Sequence, residues 1–266
     1  MRYRTANLRS GGIAHRAPNL LTAACRRKMR SCPKPQVCNR TAGSPSISIG
    51  FFGEYRKSSE AAHRAIVEPI LPQVRVACDL ACGNGTTALD LAARGIPMYG
   101  VDLSPGMCRA TRRKARERKL ALRVIQADMR NFRLPERMDP ILSEYDAINH
   151  VPRRSDFRRV ASAVARALNP GGWFFFDVNN LAAFDRYWRG NWWIEKPGIV
   201  LAMRNGHDLK RRKAWCDCEW FVQEDRLWRR HTERVEEVCW TADEIHDVLT
   251  AADFTQVPIV GCHTVL

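Results

Sequence analysis

The stretch of sequence that decides the fold is VRVACDLACGNGTT, at residues 74–87. An apolar run that ends at Leu80 is typical of a buried parallel strand, and the apolar periodicity of residues 86–94 predicts a helix after it. The turn between them contains Gly83 and Gly85, which let the backbone approach a ligand beside the unpaired amides of the helix start. This order of strand, acid, glycine turn and helix predicts a pocket for a nucleotide-like cofactor.

Asp79 helps to decide which cofactor this pocket would take. Residues 83–88 also satisfy the dinucleotide pattern G-x-G-x-x-A, so a nicotinamide or flavin enzyme stays open. A carboxylate directly before the turn would repel a pyrophosphate, but it would attract the ammonium and sulfonium groups of S-adenosylmethionine (AdoMet). The alternative role for Asp79 is to cap the helix or stabilise the turn. The acid therefore favours AdoMet over a dinucleotide.

Two further predicted strands are also followed by acids. Residues 97–102 predict a second strand that ends at Asp102, at the spacing from the glycine turn that a ribose-binding carboxylate needs. The alternative is that Asp102 only caps the helix that opens at Ser104 and Pro105. Residues 122–126 predict a third strand, and another acid follows it closely. The recurrence of acid, turn and strand favours the ribose role.

Over residues 74–254 the chain resembles the class I AdoMet-dependent methyltransferases, transferases of EC class 2.1.1. Residues 79–85, 101–107 and 127–129 are similar to the first three motifs of the family, and residues 168–179 are similar to its fifth strand and the turn before it. The resemblance implies an α/β fold with a Rossmann-like, doubly wound and mostly parallel sheet. It also implies AdoMet as the cofactor.

The resemblance further implies a set of cofactor-binding residues. Asp128 would accept a hydrogen bond from the adenine amino group, and the amide of Met129 would read a ring nitrogen. The first motif departs from the family at Ala81, where glycine is most common. The implied cofactor-binding residues are Asp79, Ala81, Cys82, Gly83, Asn84, Gly85, Asp102, Leu103, Met107, Asp128, Met129 and Glu144.

The sequence divides into four segments. Residues 1–45 read as a basic, disordered extension, residues 46–184 as the AdoMet-binding domain, residues 185–240 as an antiparallel β insertion that covers the substrate, and residues 241–266 as the helix and strand that complete the domain. The extension holds ten Lys or Arg and no acid, which leaves +5 of the net charge of +15 for the rest. Three interpretations of the extension are open: a basic arm that binds RNA or an anionic membrane, a transit peptide, or sequence upstream of the true start. We favour the last.

The insertion is predicted from its alternation of apolar and polar residues, with turns at residues 205–206 and 224–225. We expect most of its tryptophans to form its core, and one or two to face the pocket, where they would hold an apolar acceptor or an amine. These tryptophans are Trp188, Trp192, Trp193, Trp215, Trp220 and Trp228.

A capping box at residues 241–244 predicts the last helix. The strand predicted at 256–260 is followed by residues 261–266 alone, so the last strand of the sheet is either truncated or reduced to a short hairpin that uses residues 264–266.

Candidate catalytic residues follow the fourth strand, predicted within residues 138–146, because that position lies nearest to the methyl group in this family. His150 is the candidate base, and Asp146 and Asn149 are candidates for binding the acceptor, with Asn179 as another. The alternative for His150 is a structural hydrogen bond. Methyl transfer from a sulfonium is an in-line displacement, so no acid or base is obligatory. In the family, a segment before the first strand folds over the cofactor, so Tyr55 is a candidate lid residue. A helix is predicted after it, from Ser58 or Ser59 to Leu71.

A small-molecule methyl acceptor is the leading hypothesis. Residues 143–146 read SEYD, which lacks the Asn-or-Asp-Pro-Pro-aromatic tetrad of amino-methylating enzymes that act on adenine or glutamine. An RNA-directed methyltransferase that uses the basic arm, and a non-catalytic AdoMet-binding remnant, stay open as alternatives. No apolar run reaches membrane-spanning length, and the ten cysteines contain no C-x-x-C pair. We therefore predict no metal site, no membrane contact and a reducing, cytoplasmic location.

Overall fold

The computed structural model describes residues 20–27 and 63–262, so Tyr55 and the predicted helix start at Ser58 or Ser59 lie outside the described residues. Two short helical segments, His63–Val67 and Glu68–Gln73, lead into the main sheet. The strands are β1 (Leu20–Arg27), β2 (Ala77–Leu80), β3 (Met98–Asp102), β4 (Leu122–Gln126), β5 (Met138–Ser143), β6 (Leu168–Asn179), β7 (Asn191–Lys196), β8 (Ile199–Asp208), β9 (Lys213–Glu224), β10 (Leu227–Val238), β11 (Phe254–Gln256) and β12 (Ile259–Cys262). The helices are α1 (Thr86–Ala93), α2 (Pro105–Glu117), α3 (Arg154–Ala167), α4 (Leu181–Tyr187) and α5 (Ala242–Thr250).

Five parallel strands form the centre of the main sheet, in the order β4-β3-β2-β5-β6. Every residue of β2 is buried, as expected for a strand covered on both faces. One face packs against α3 and α5, and the other packs against α1. Because the strand order reverses between β2 and β5, a crevice opens there at the carboxyl ends of the strands. The predicted Rossmann-like, doubly wound fold is confirmed.

Local sequence signals set the helix starts as predicted. Pro105 is the first residue of α2, and the Ser104 side chain accepts a hydrogen bond from the Met107 amide. The capping box of Thr241 and Glu244 opens α5. No helix among the described residues is long and apolar enough to cross a membrane.

The prediction that residues 1–45 are disordered and add nothing to the fold is wrong for β1. Its residues pair antiparallel with β6, from Leu20 opposite Asn179 to Arg26 opposite Trp173. On its other side, β1 pairs antiparallel with both β11 and β12. The N-terminal strand thus occupies the place of the antiparallel strand that we expected the C-terminus to lack. The edge of β6 and the two C-terminal strands supply this pairing, which local β-propensity does not encode.

The predicted antiparallel insertion is confirmed as a separate four-stranded sheet, in the order β10-β9-β8-β7. The turn at Glu224 and Asp225 is present, with Asp225 in the left-handed region. The turn predicted at residues 205–206 is wrong, because β8 continues through them. Gly206 lies opposite Trp215, and a Cβ atom at Gly206 would approach the Trp215 ring to 2.6 Å. This glycine makes room for an indole rather than for a turn.

The expectation that most of the insertion's tryptophans form its core is also wrong. Trp220 is 1% exposed and packs in the core of the small sheet. Trp192, Trp193 and Trp228 are 45%, 63% and 50% exposed. Arg234 lies over the Trp215 ring, 5.4 Å from its centroid. Much of the aromatic surface of the insertion therefore faces outward rather than into its core.

Candidate active site

The glycine turn after β2 packs against Thr111 in the middle of α2. Gly83 and Gly85 adopt left-handed φ angles of 54° and 82°, and a Cβ atom at Gly85 would lie 2.4 Å from Cγ2 of Thr111. The Thr111 hydroxyl donates to the Gly83 carbonyl at 2.9 Å. Ala81 is left-handed as well, at φ 62°, which costs an L-residue roughly 1–2 kcal/mol. This explains why glycine is the common residue at the position of Ala81.

Asp102 joins the glycine turn to the next motif. Its Oδ2 accepts from the Gly83 amide and its Oδ1 accepts from the Ser104 amide, both at 2.8 Å. Burial raises the pKa of Asp102, while the two amide bonds oppose that shift. Each oxygen keeps a lone pair for a further donor, which is what two ribose hydroxyls would require. The carboxyl group therefore has a structural role, and its geometry also suits the predicted binding role.

Asp79 lies under the same turn and is 4% exposed. Its Oδ2 accepts from the Ala88 amide in the first turn of α1 at 3.1 Å, so the alternative capping role is present in the structure. Burial, followed by the nearby Glu144 carboxyl group, raises the pKa of Asp79 to about 8. A cation bound beside Asp79 would favour its ionised form.

Glu144 connects three elements of the site. Its Oε1 lies 2.7 Å from Nδ1 of His63, and its Oε2 accepts from the Thr87 hydroxyl at 2.7 Å. Burial would lower the pKa of His63, but the contact with Glu144 outweighs it and raises that pKa. Sequence reasoning missed His63 and Thr87. Only the fold brings the segment before β2, which holds His63, and the start of α1, which holds Thr87, to the end of β5.

The remaining predicted cofactor residues surround this centre. Asp128 is occupied by Arg130, whose Nε lies 2.9 Å from Oδ1. Although burial opposes it, this pairing lowers the pKa of Asp128. Cys82 and Met107 are buried, while Asn84, Leu103 and Met129 are half-buried. Their roles toward a cofactor stay predictions.

A second group of polar side chains lies at the ends of β5, β6 and β10. The Asn179 Nδ2 donates to Oδ2 of Asp146 at 2.8 Å and to Oε2 of Glu237 at 3.0 Å. Burial and the Asp146 carboxylate raise the pKa of Glu237 well above its usual range. Tyr145 and Asp146 adopt left-handed φ angles of 61° and 53°, which turn the chain sharply after β5. Glu237, which the sequence analysis missed, comes from the insertion and closes this group.

His150 and Asn149 both bond neighbouring groups of the protein, and their predicted roles as base and acceptor-binding group stay predictions. The His150 Nε2 lies 3.7 Å from Oδ1 of Asp146. Burial alone would lower the pKa of His150, but Asp146 and Glu237 raise it to about 9, so the imidazole carries a proton near pH 7. Asn149 is fully buried, and its side chain bonds the backbone of Asn179 and Val238. These bonds tie the end of β6 to the end of β10.

Three potential ligand atoms, from Asp146, His150 and Glu237, lie within 4.8 Å of one another. This arrangement could hold a metal ion, although we predicted no metal site. However, the Asn179 amide presents its N–H groups to both carboxyl groups, as a hydrogen-bond donor does, and a cation would instead attract its oxygen. The geometry therefore suits a ligand with N–H donors better than a metal ion.

Two buried side-chain oxygens at the ends of β5 and β6, Oγ of Ser143 and Oδ2 of Asp177, have no hydrogen-bond partner among the described residues. Asp177 is 1% exposed, its Oδ1 accepts from the Asp146 amide at 3.3 Å, and its Oδ2 has no partner. Burial, then Asp146 and Glu144, raises the pKa of Asp177 well above its usual range. Such an oxygen calls for a proton or for a donor from a ligand.

Comparison with known proteins identifies the central domain. Residues 77–172 match the family model for a methyltransferase domain. A protein named "Putative methyltransferase" from Geobacillus sp. (strain WCH70) is 24% identical over 188 residues, which cover 70% of this chain and 76% of that protein. A Bacillus subtilis (strain 168) protein, named in the same way, is 30% identical over 115 residues, or 43% of this chain and 46% of its own length.

Two solved structures share the fold. An S-adenosylmethionine-dependent methyltransferase from Clostridium acetobutylicum superposes with a TM-score of 0.62 at 21% identity, over 75% of this chain and 87% of that chain. The sugar N-methyltransferase KedS8 from Streptoalloteichus sp. superposes with a TM-score of 0.65 at 21% identity, over 89% of this chain and 99% of that chain. At these identities the likeness concerns the fold alone.

Proposed function

We propose that this chain, which contains a class I AdoMet-dependent methyltransferase domain, transfers a methyl group from AdoMet to a small-molecule acceptor. One observation carries the proposal. Glu237 of the insertion reaches the end of β6, so a buried polar group lies at the carboxyl edge of the main sheet, where such sheets bind ligands. An enclosed polar site of this kind suits a small molecule.

The residues present fit AdoMet. The glycine turn has no room for a side chain at Gly85, and its backbone is fixed by hydrogen bonds to Asp102 and from Thr111. Asp79 and Glu144 offer negative charge to a cationic group, and AdoMet, when bound, supplies an electrophilic methyl group. Asp102 would hold the ribose, and the turn would lie against the amino acid part of the cofactor.

The chain's own residues then have two tasks. Asp146, Asn179 and Glu237 would orient the acceptor, because their polar atoms are fixed to one another by hydrogen bonds. The insertion would exclude water, so that the acceptor atom is held in line with the bond to be broken. His150, with its proton, would act as a donor to the acceptor or to Asp146 rather than as the base.

A nucleic-acid acceptor is the second candidate, and the charge of α2 and β4 favours it. Residues 109–137 carry eleven Lys or Arg and three acids. Arg109, Arg112 and Arg116 are exposed along α2. Binding to RNA through this surface would weaken steeply as salt is raised, whereas binding of a small neutral acceptor would not.

The full chain, which keeps β1, is the protein to test. We expect AdoMet and its demethylated product AdoHcy, but not NAD, to raise the melting temperature, since a ligand of the native state stabilises it. Asp102→Ala should lose this rise, whereas Asp90→Asn, at an exposed position of α1, should retain it. If the folded protein shows no rise in melting temperature with AdoMet or AdoHcy, the proposed enzyme activity is contradicted and the remnant hypothesis is favoured.

A further inference from the structure

We propose that the methyl acceptor is an amine, bound as an ammonium ion between Asp146 and Glu237. The proposal rests on the proposed function, since it names the substrate class of the same site. The crevice is acidic, because five acids lie at or near the carboxyl ends of neighbouring strands. The basic partners that the structure gives them are two histidines, His63 and His150. The five acids are Asp79, Glu144, Asp177, Asp146 and Glu237.

The outer part of this crevice is built to receive N–H donors. The single Nδ2 atom of Asn179 donates to both Asp146 and Glu237, which holds the two carboxyl groups close together and leaves each with further lone pairs. Oδ2 of Asp177, whose Oδ1 accepts from the Asp146 amide, is buried and has no partner among the described residues. An ammonium group has three N–H donors and a positive charge, and it matches these acceptors in both respects.

A hydroxyl acceptor matches the site less well. A hydroxyl group offers one donor and no charge, so it would satisfy fewer of these buried acceptors and would add no positive charge beside them. The raised pKa of Glu237 has the same origin, because the buried carboxyl group lacks a full cationic partner. A bound ammonium ion would supply that partner and favour the ionised form of Glu237.

The same pair of acids accounts for the proton that amine methylation must remove. The bound ammonium gives one proton to the carboxylate of Glu237 or Asp146, which frees the nitrogen lone pair. That lone pair forms the new N–C bond while the S–C bond breaks, and the electron pair of the broken bond stays on sulfur. The products are a protonated methylamine and AdoHcy, and the proton on the carboxyl group returns to water when the products leave.

The test uses a panel of small amines, each paired with its hydroxyl counterpart, such as glucosamine with glucose and ethanolamine with ethylene glycol. Each compound is added to the full chain loaded with AdoHcy, and methyl transfer from labelled AdoMet is measured in parallel. We expect members of the amine set, and not their counterparts, to raise the melting temperature by about 3 °C when present at several times Kd, and to accept the label.

Glu237→Gln is the matched variant, because the amide keeps an oxygen for Asn179 but loses the charge. It should abolish the difference between amine and hydroxyl members. Glu236→Gln changes the preceding residue of β10, which is exposed, and it should preserve that difference. A direct fold check by circular dichroism accompanies both variants.

Two results would overturn the assignment while AdoHcy still binds. In the first, no amine exceeds its hydroxyl counterpart. In the second, MgCl₂ alone stabilises the protein in a manner lost in Glu237→Gln, which would assign the site to a metal ion. Failure of AdoHcy itself to bind would instead count against the proposed function.

Discussion

The Nδ1 atom of His63 lies 2.7 Å from Oε1 of Glu144, and this contact fastens the segment before β2 to the end of β5. The pKa of His63 is raised in the folded protein, above the value of about 6.5 expected in the unfolded chain. The stabilisation from this contact is therefore complete below pH 6.5, and it is lost as the pH rises through the folded pKa. We expect His63→Gln to lower the free energy of unfolding most at pH 5.5 and least at pH 9.

Urea unfolding of both proteins across that pH range measures the difference directly. His246→Gln, at an exposed position of α5, is the control and should show a small difference at every pH. A His63→Gln effect that grows with pH would contradict the assignment.

Gly85→Ala should be much more damaging than Gly95→Ala. Both glycines are left-handed, at φ 82° and 89°, so both substitutions bring backbone strain of roughly 1 kcal/mol. Only at Gly85 would the new Cβ meet Thr111, whereas nothing lies within 4 Å of the position at Gly95. We expect Gly85→Ala to cost roughly 2–3 kcal/mol of unfolding free energy and to weaken AdoHcy binding. Equal effects of the two variants in urea unfolding would remove the steric argument.

Asp79→Asn should stabilise the cofactor-free protein and weaken its binding of AdoMet. The pKa of Asp79 is about 8 when folded and about 3.9 when unfolded, so the folded state holds its proton more tightly. The native protein thus loses stability through Asp79 as the pH rises from about 4 to 8. The gain in melting temperature from Asp79→Asn should grow over that range. Asp90→Asn is the matched control, and a gain that is constant with pH would argue against a buried, titrating Asp79.

Removal of β1 should destabilise the sheet. A chain that starts at residue 29 lacks β1, whereas one that starts at residue 20 retains it. We expect the shorter chain to lose several kcal/mol of unfolding free energy, because β6, β11 and β12 each lose a paired edge, and to aggregate through the exposed edge of β6. Two chains with equal unfolding midpoints and equal solubility would show that β1 contributes nothing.

The sequence was most informative where the chemistry is local. Asp79, Gly83 and Gly85 lie within seven consecutive residues, and their turn geometry follows from residue type and order. Asp102 could be placed because its spacing from that turn follows from one strand, helix and strand.

Residues brought in by the tertiary fold were missed. His63 reaches Glu144 across 81 positions, and Glu237 reaches Asn179 across 58. Neither pairing leaves a local pattern, since each depends on which strands lie side by side. The turn assigned to Gly206 failed for a related reason, because the need for that glycine comes from Trp215 on the neighbouring strand.

The position of β1 also sets the order in which the chain can fold. Leu20 pairs with Cys262, so the ladder between them closes a loop of nearly the whole chain. Contacts this distant in sequence form slowly, because the entropy of closing the loop is lost before the pairing repays it. During synthesis on the ribosome, β1 emerges first, yet it cannot acquire its C-terminal neighbours until the last strands have left the exit tunnel. We expect the slowest refolding phase to be the one in which the edge of the sheet is completed, with the five parallel strands already formed.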